Sequence, residues 1–539
     1  MATVPAGLAL GLTIWMQTAT TTAPMTREAS AITDPKVRGA VIFHGDDFGG
    51  LSATALETHA LPWKLSAAAI MVEARRRDPA VPMTPAGLKQ ELQRFGFLSP
   101  GTISNWPAGA AQPVSAMALG MTAGELSILP GARVEVSNLG CASCHSGVTY
   151  DAKGLPDPDR VWLGLPNTSL DLEAWTMAVY TAYRHGLDDP ESLMQAVKTL
   201  FPEVSPAERF TLRHLVLPRV RARMKALEAQ GRPLPYPSGG PGVTNGVAAL
   251  KMALKLPMQG AGKGETGVTS IPDLGNRTWR TSLLYDGAYA PKGTVRQTPM
   301  TADGLTPQHV AAQATIATFF SVPSMGVKPR QTLHNQARAE AVFAFLATYR
   351  APPFPGDIDA ASAKRGQDVY AQSCAACHGT YDASLTRPAL VSFPNWIGDV
   401  GTDPARAHAF SPELARAVNA SPYRNRMTAE ATGRYVAPLL SGLWATAPYL
   451  HNGSVPTIAA LLDPSSRPQR FLAGGHSLDY VRMGIAQAPD GRYPKGYQPW
   501  SQPATIDATT PGYGNGGHTF GSGLTPQQKR DLISYLKRL

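Results

Sequence analysis

The sequence predicts a mainly α-helical chain in two parts, with long Gly- and Pro-rich loops between the helices. Three observations predict it. The pentapeptide Cys141-Ala142-Ser143-Cys144-His145 returns as Cys374-Ala375-Ala376-Cys377-His378, and the two copies use all four cysteines. The clearly periodic stretches repeat apolar residues at helical spacing, between capping and stop signals. Glycine (51) and proline (48) are abundant enough in 539 residues to leave long ordered connections. Charged residues make up 16% of the chain and hydrophobic ones 43%, which excludes a disordered polypeptide.

Each pentapeptide reads C-x-x-C-H, the attachment pattern of c-type haem. Two thiols at this spacing reach the two vinyl groups of one porphyrin, and the histidine that follows stands under the iron as its proximal ligand. A structural zinc site does not require that histidine. A thioredoxin-like C-x-x-C needs a βαβ context, which is missing. The expectation is two cytochrome c-type haem domains with two covalently bound haem c groups. Cys141, Cys144, Cys374 and Cys377 attach them, and His145 and His378 bind the irons.

The formal net charge is +10. No dense Lys/Arg patch interleaved with aromatics accompanies it, which excludes a nucleic-acid partner. The surplus suits a soluble, acidic redox partner or simply a solvated basic surface. Residues 6–16 are apolar but too short to span a bilayer. They resemble the core of a signal peptide without its positive start, and Ala29-Ser30-Ala31 offers a small-x-small cleavage site. No other segment reaches transmembrane length. The expected organisation is a signal peptide over 1–31, an N-terminal haem domain with an extra N-terminal region over 32–350, and a C-terminal cytochrome c domain over 357–539. Because c-type haem is attached outside the bacterial cytoplasm, the expected location is periplasmic or secreted, and the protein is not an integral membrane protein.

Along the chain, Thr84 caps a helix with Pro85 in its first turn, Leu88, Leu92 and Phe95 on one face and Gly96 at its end. Residues 170–184 form a helix with Leu172, Trp175 and Val179 in the core. Ser205-Pro206-Ala207-Glu208 is a capping box, and Pro218 should kink the helix that follows. The run Arg219, Arg221, Arg223 and Lys225 reads as a solvated face. Residues 236–267 read mostly as loop. A helix over 337–349 precedes the break at residues 351–356, where the domain boundary falls. A helix over 361–372 then leads into the second motif. The last helix is capped by Thr525 with Gln528 and carries Leu532, Ile533, Leu536 and Leu539 as its apolar stripe.

Three further blocks show a resemblance. They are the stretch from Ile271-Pro272 to Tyr285-Asp286-Gly287, the stretch Ala445-Thr446-Ala447-Pro448-Tyr449-Leu450-His451-Asn452-Gly453, and Gly514-Asn515-Gly516-Gly517-His518. With the two motifs, from about residue 130 to the end, the chain resembles the bacterial di-haem cytochrome c peroxidase superfamily. That superfamily includes the methylamine dehydrogenase maturase and the di-haem rubber oxygenases. The resemblance implies an inter-haem relay at the position of Tyr285, with Trp279 close by in sequence, where the family has tryptophan. It implies His451 beside the site, His518 as sixth ligand of the second haem with Met483 as the rival, and calcium on backbone oxygens of Thr446 and Pro448. Ser270 stands where the family's calcium site has asparagine, and Asn452 where it has aspartate.

No histidine stands where resting peroxidases place the distal ligand of the first haem, in residues 259–267; His185 and His214 remain as candidates. The family's distal glutamate is also missing, since residues 288–310 contain no Glu and offer only Asp303 and His309. The resemblance therefore implies an exported di-haem oxidoreductase. O₂ or hydrogen peroxide reacts at the first haem, His145, with a small or polymeric organic substrate, and the second haem stores or relays electrons. The missing acid points to the oxygenase branch. The alternative is a di-haem electron-transfer cytochrome without catalytic chemistry of its own.

Overall fold

The structure is a computed structural model that describes residues 29–45, 61–113, 117–129, 132–229, 236–257, 267–320, 333 and 335–539. The expected signal peptide up to residue 28, and most of residues 259–267, lie outside them.

Two helix pairs frame the molecule. Pro35–Gly45 packs against Gln336–Leu346, and Ala360–Ser373 packs against Pro526–Leu536. Each crossing is made at a glycine. A Cβ on Gly39 would stand 1.9 Å from the Ala341 carbonyl oxygen, and one on Gly366 1.9 Å from that of Asp531. The second pair is also tied by polar groups. Asp531, 2% exposed, accepts from Ser362 Oγ at 2.7 Å and from the Arg365 guanidinium at 2.8 and 2.9 Å. The capping box of Thr525 and Gln528 closes the start of the last helix as its sequence predicts. The first pair brackets the first motif in the chain, so the Pro35–Gly45 helix, which the sequence left unassigned, takes the place that Ala360–Ser373 takes before the second motif.

A separate apolar cluster lies beside the first motif. The helices Trp63–Arg77, Leu172–Gly186 and Pro190–Leu200 contribute Leu65, Ile70, Trp175, Tyr183, Leu193 and Val197, and Cys144 belongs to the same cluster. Trp175 is packed by Phe95 and Phe97, with ring centroids 5.5 and 5.2 Å away. Thr84 caps the Pro85–Arg94 helix, and Asp171 caps Leu172–Gly186. The expected kink at Pro218 takes the form of a π-helical turn, Leu212–Val216, between Pro206–Thr211 and Leu217–Ala229. Proline has no N–H to give the preceding turn, and the wider turn absorbs the missing bond.

The expectation of a mainly α chain needs correction, because the structure is 40% helical and 15% strand. Met121–Leu129 and Ala132–Leu139 form a long antiparallel hairpin that leads into the first motif. Val134 and Val136 are buried on it and Glu135 lies between them, an alternation of period two that helical templates overlook. Pro156–Leu163, also eight residues long, pairs antiparallel with Ser146–Tyr150 and parallel with Thr102–Ile103, and the remaining strands are short and antiparallel, in sheets of two or three. Residues 236–257 also depart from the loop expectation, since Gly246–Ala253 is a helix capped by the Asn245 side chain.

The halves before and after residues 351–356 interleave. Gln502 N–H donates to Arg94 O at 2.9 Å, Leu478 N–H to Gly154 O at 2.8 Å and Gly475 N–H to Ser169 Oγ at 2.9 Å. One core cluster holds Val41 and Leu163 together with Ile458, Phe471 and Tyr535.

The close crossing at Gly366 gives a prediction. Gly366→Ala forces a methyl group into a backbone carbonyl and should cost about 1–3 kcal/mol, read as a lower midpoint in denaturant unfolding. A variant as stable as the parent would refute the tight crossing.

Candidate functional site

The site is built on two loops that repeat one another. Residues 270–287 and 436–453 match position for position at a constant interval, and each serves one motif histidine. His145 Nδ1 lies 3.1 Å from Pro272 O, and His378 Nδ1 lies 2.9 Å from Pro438 O. After each proline comes a left-handed residue, Asn276 (φ 54°) or Gly442 (φ 61°), and then a 3₁₀ turn, Arg277–Trp279 or Leu443–Ala445. Leu284 (φ 70°) and Leu450 (φ 66°) are both left-handed, as are Gly287 and Gly453. The bridges Leu283↔Tyr289 and Tyr449↔Val455 correspond as well. The loops are joined crosswise. Ser270 N–H donates to His451 O at 2.7 Å, and Val436 N–H donates to Tyr285 O at 2.8 Å, a reciprocal exchange between equivalent positions. This repeat was open to the sequence through Pro272/Pro438, Leu274/Leu440, Leu284/Leu450 and Gly287/Gly453. A self-comparison finds it, whereas reading the two blocks one at a time does not.

The electrostatics prepare the two motif histidines as ligands. Burial, with the Arg277 guanidinium next, pushes His145 down to about 4, against the upward effect of its bond to Pro272. Burial likewise lowers His378. Both imidazoles are therefore neutral near pH 7. A neutral ring that donates Nδ1–H to a carbonyl presents the Nε2 lone pair on its other side. The His378 and His518 rings stand with centroids 6.2 Å apart, tilted by 57°. Such a gap suits two imidazoles on opposite sides of one metal atom. His518 is left-handed (φ 43°), its N–H donates to Val400 O at 2.7 Å, and the Arg467 guanidinium donates to the carbonyls of Asn515, Gly517 and His518. Burial and His378 push His518 down to about 4, and its Nδ1 has no partner. Gly517 is required here, because a Cβ would come within 2.1 Å of the Gly401 backbone.

A cavity of about 1550 Å³ connects the two motifs. It exceeds the roughly 300–1,000 Å³ of an ordinary ligand site. Cys141, Cys144, His145, Cys374, Cys377, His378, His518 and Tyr285 all border it. Its charge balance supports a bulky anionic group. Arg277 and Arg280 border it without an ion pair among the described residues, and Arg277 Nε has no partner. Burial, reinforced by Arg277, lowers Arg280 to about 9. Buried cations without counter-ions are costly, and the propionates of a haem would supply the missing charge. The thiols fit the same group. None of the four is in a disulfide, and burial pushes Cys144 up to about 12 and Cys374 up to about 11. Among the described residues no group of three or more His, Cys, Asp or Glu side chains converges as a metal site, which counts against zinc at the motifs.

The other expected residues divide into two groups. Tyr285 borders the cavity, and its hydroxyl lies 2.8 Å from Ser270 Oγ. His451 also borders it, stacks on Tyr435 at 4.2 Å and lies 3.1 Å from its hydroxyl; burial and Arg406 lower it to about 3. Trp279 does not border the cavity. It packs with Met300, Leu390 and Phe393, since the 3₁₀ turn directs it away, and this corrects its expected place beside the relay. Met483 is fully buried, outside the cavity wall. His185 pairs with Glu73 at 2.7 Å, and His214 packs on Phe210, so neither reaches the first motif. Thr446 and Pro448, where the resemblance implied calcium, border the cavity. The sequence missed Arg406. Its guanidinium pairs with Asp286 at 2.6 Å, and the two side chains are 4% and 1% exposed.

Residues 433–472 match the family model described as RoxA-like, cytochrome c-like, and residues 361–432 match that of cytochrome c oxidase, cbb3-type, subunit III. The C-terminal part is of the cytochrome c type. Such domains hold haem c covalently, which fits the second motif and a haem-based electron-transfer or oxidoreductase role. Two proteins of Sinorhizobium fredii (strain NBRC 101917 / NGR234), both uncharacterised, are similar to this chain. One, y4iM, is 32% identical over 168 residues, covering 26% of this chain and 37% of its own. The other, y4iJ, is 30% identical over 278 residues, covering 39% and 44%. The matched part spans less than half the length of either relative. Among the described residues no helix is long and apolar enough to cross a membrane.

The Asp286–Arg406 pair generates a prediction. Asp286→Asn leaves a buried guanidinium unpaired and should cost about 3–5 kcal/mol, most of which returns in the double variant with Arg406→Met. A double-mutant cycle by chemical unfolding measures it, and additive losses would show that the pair is not coupled.

Proposed function

We propose that the protein is an exported di-haem c-type oxidoreductase of the oxygenase kind, with an open first haem at His145 and a closed second haem between His378 and His518. Haem c would supply redox-active iron, one site open to a small diatomic ligand and one storing electrons. The observation that carries this reading is the inventory of the cavity wall. Its histidines are His145, His378, His451 and His518. The first two are fixed by proline carbonyls, His518 faces His378, and His451 is held at Tyr435. None among the described residues remains to close the first haem.

The wall also lacks the acid that peroxide cleavage needs. No described glutamate borders it, and its one aspartate, Asp273, follows directly on the proline that anchors His145. Heterolytic O–O cleavage requires a group that moves a proton between the two oxygens. Asp303 is exposed and off the wall, and His309 Nε2 is engaged with Thr278 O at 2.8 Å. These features favour O₂ over hydrogen peroxide as the co-substrate of an organic compound. In this reading Tyr285 passes electrons between the two haems and Ser270 holds its hydroxyl. Cys141 and Cys144 attach one haem, and Cys374 and Cys377 the other.

The test is spectroscopic. The purified protein should exceed its polypeptide mass by two haem groups, and the reduced form should shift its visible bands on adding CO. Peroxide turnover with a reduced cytochrome donor should fall below the roughly 1 s⁻¹ that bounds ordinary enzymes. Two low-spin haems that ignore ligands in every redox state would overturn the reading in favour of an electron carrier.

His518→Ala isolates the second site. The variant should keep its covalent haem and gain a high-spin EPR signal, and an unchanged spectrum would rule out His518 as the ligand.

A further inference from the structure

The cavity extends beyond the motifs into a lobe between the helices Leu172–Gly186 and Leu217–Ala229. Trp175, Val179 and Tyr183 line one side, and Val220, Met224 and Leu227 the other. The last three recur at helical spacing and form one apolar stripe. Cys144 shares its apolar cluster with Trp175, Tyr183 and Met224, so the lobe lies against the first motif rather than the second.

The basic run on the second helix divides at this lobe. Arg219 and Arg223, one turn apart, border the cavity, whereas Arg221 and Lys225 do not. Arg221 donates to Leu187 O at 3.0 Å. A solvated face accounts for Arg221 and Lys225. Arg219 is half-buried, with Nη1 donating to Leu215 O at 2.5 Å, and Arg223 is exposed, which places the pair at a rim between lobe and solvent. Among the described residues neither Arg219 nor Arg223 forms an ion pair, and no described acidic side chain other than Asp273 borders the cavity. An apolar slot that ends at two guanidinium groups without a carboxylate partner among the described residues is complementary to a molecule with an apolar body and a negative end.

We propose that this lobe takes an organic substrate of the long-chain carboxylate class. Arg219 and Arg223 hold the carboxylate at the mouth, and the chain lies along Val220, Met224 and Leu227 toward the first motif. The assignment names the substrate of the reaction proposed above and rests on that reading for the chemistry, while the binding itself is independent of it. The apolar stripe is indifferent to the head group, so the two arginines alone discriminate a carboxylate from an alcohol of the same length.

The experiment is isothermal titration of the full haem-loaded protein with laurate and with 1-dodecanol. Laurate should bind about tenfold or more tightly, as expected for a charge-assisted hydrogen bond. The double variant Arg219→Gln/Arg223→Gln should lose that preference and keep its affinity for dodecanol. The control Arg221→Gln/Lys225→Gln should retain the preference. Both pairs lie on the outer helix, and an unchanged visible haem spectrum verifies that each variant is folded. Equal affinity for the two probes, a preference undiminished in the first variant, or no binding of either probe would overturn the proposal. Carboxylate binding by a protein deaf to CO would sink the oxygenase reading and keep the site. A CO-responsive protein without the preference would do the reverse.

Discussion

Two backbone hydrogen bonds hold the rest of the structure in register, Ser270 N–H to His451 O and Val436 N–H to Tyr285 O. They cross between equivalent positions of two repeated loops, which is the self-complementary contact that a two-fold arrangement makes. Each loop also carries the proline whose carbonyl orients one motif histidine. The crosswise pairing therefore sets the mutual placement of the two imidazoles as well as joining two segments of chain. Buried backbone donors and acceptors must be paired. Moving one loop against the other would break both bonds together, which makes the junction rigid where electron transfer would need a constant separation.

The repeat extends outward to the helix pairs, each crossing at a glycine against a carbonyl of its partner. It fails at particular points, and on the proposed function those points carry the chemistry. Arg277 stands where the second loop has Leu443, and Arg280 where it has Thr446. Asp286, paired with Arg406, stands where the second loop has Asn452, whose side chain instead takes backbone partners at Gly512 and Gly514. His518 is brought to the second motif by a C-terminal segment that has no equivalent before the first. A duplicated scaffold with unequal surroundings is how one cofactor type can be given two different tasks.

How much was legible in the sequence follows from the range of each interaction. The motifs, the caps at Thr84 and Thr525 and the helices next to them depend on neighbours in the chain, and the spacing alone carried them. The hairpin over 121–139 was missed because alternation over a few residues is weak beside helical periodicity. Trp279 was set beside the relay by its place in a block, but a single left-handed residue at Asn276 starts a turn that sends it into another cluster. Arg406 lies far from Asp286 in sequence, and no local pattern announces that pair. The close placement of His378 and His518 is likewise a tertiary fact, which the sequence suggested only through the resemblance and the glycines before His518.

The exchange of tryptophan for Tyr285 in the inter-motif loop can be argued from its surroundings. Burial raises the phenol, and the positive charges of Arg277, Arg280 and Arg406 act against that rise. The same charges would destabilise any cationic radical between the two motifs, because like charges in a buried site repel strongly. An oxidised indole starts as such a cation. A phenol that gives up its proton together with its electron remains neutral, so the arginines impose no such penalty on it. The Tyr285 hydroxyl is held 2.8 Å from Ser270 Oγ, which itself donates to Leu450 O at 3.3 Å. On the proposed function, tyrosine at this position and the arginines around it belong to one design. Arg277, Arg280 and Arg406 act on this position, and the relay residue is one that tolerates their charge.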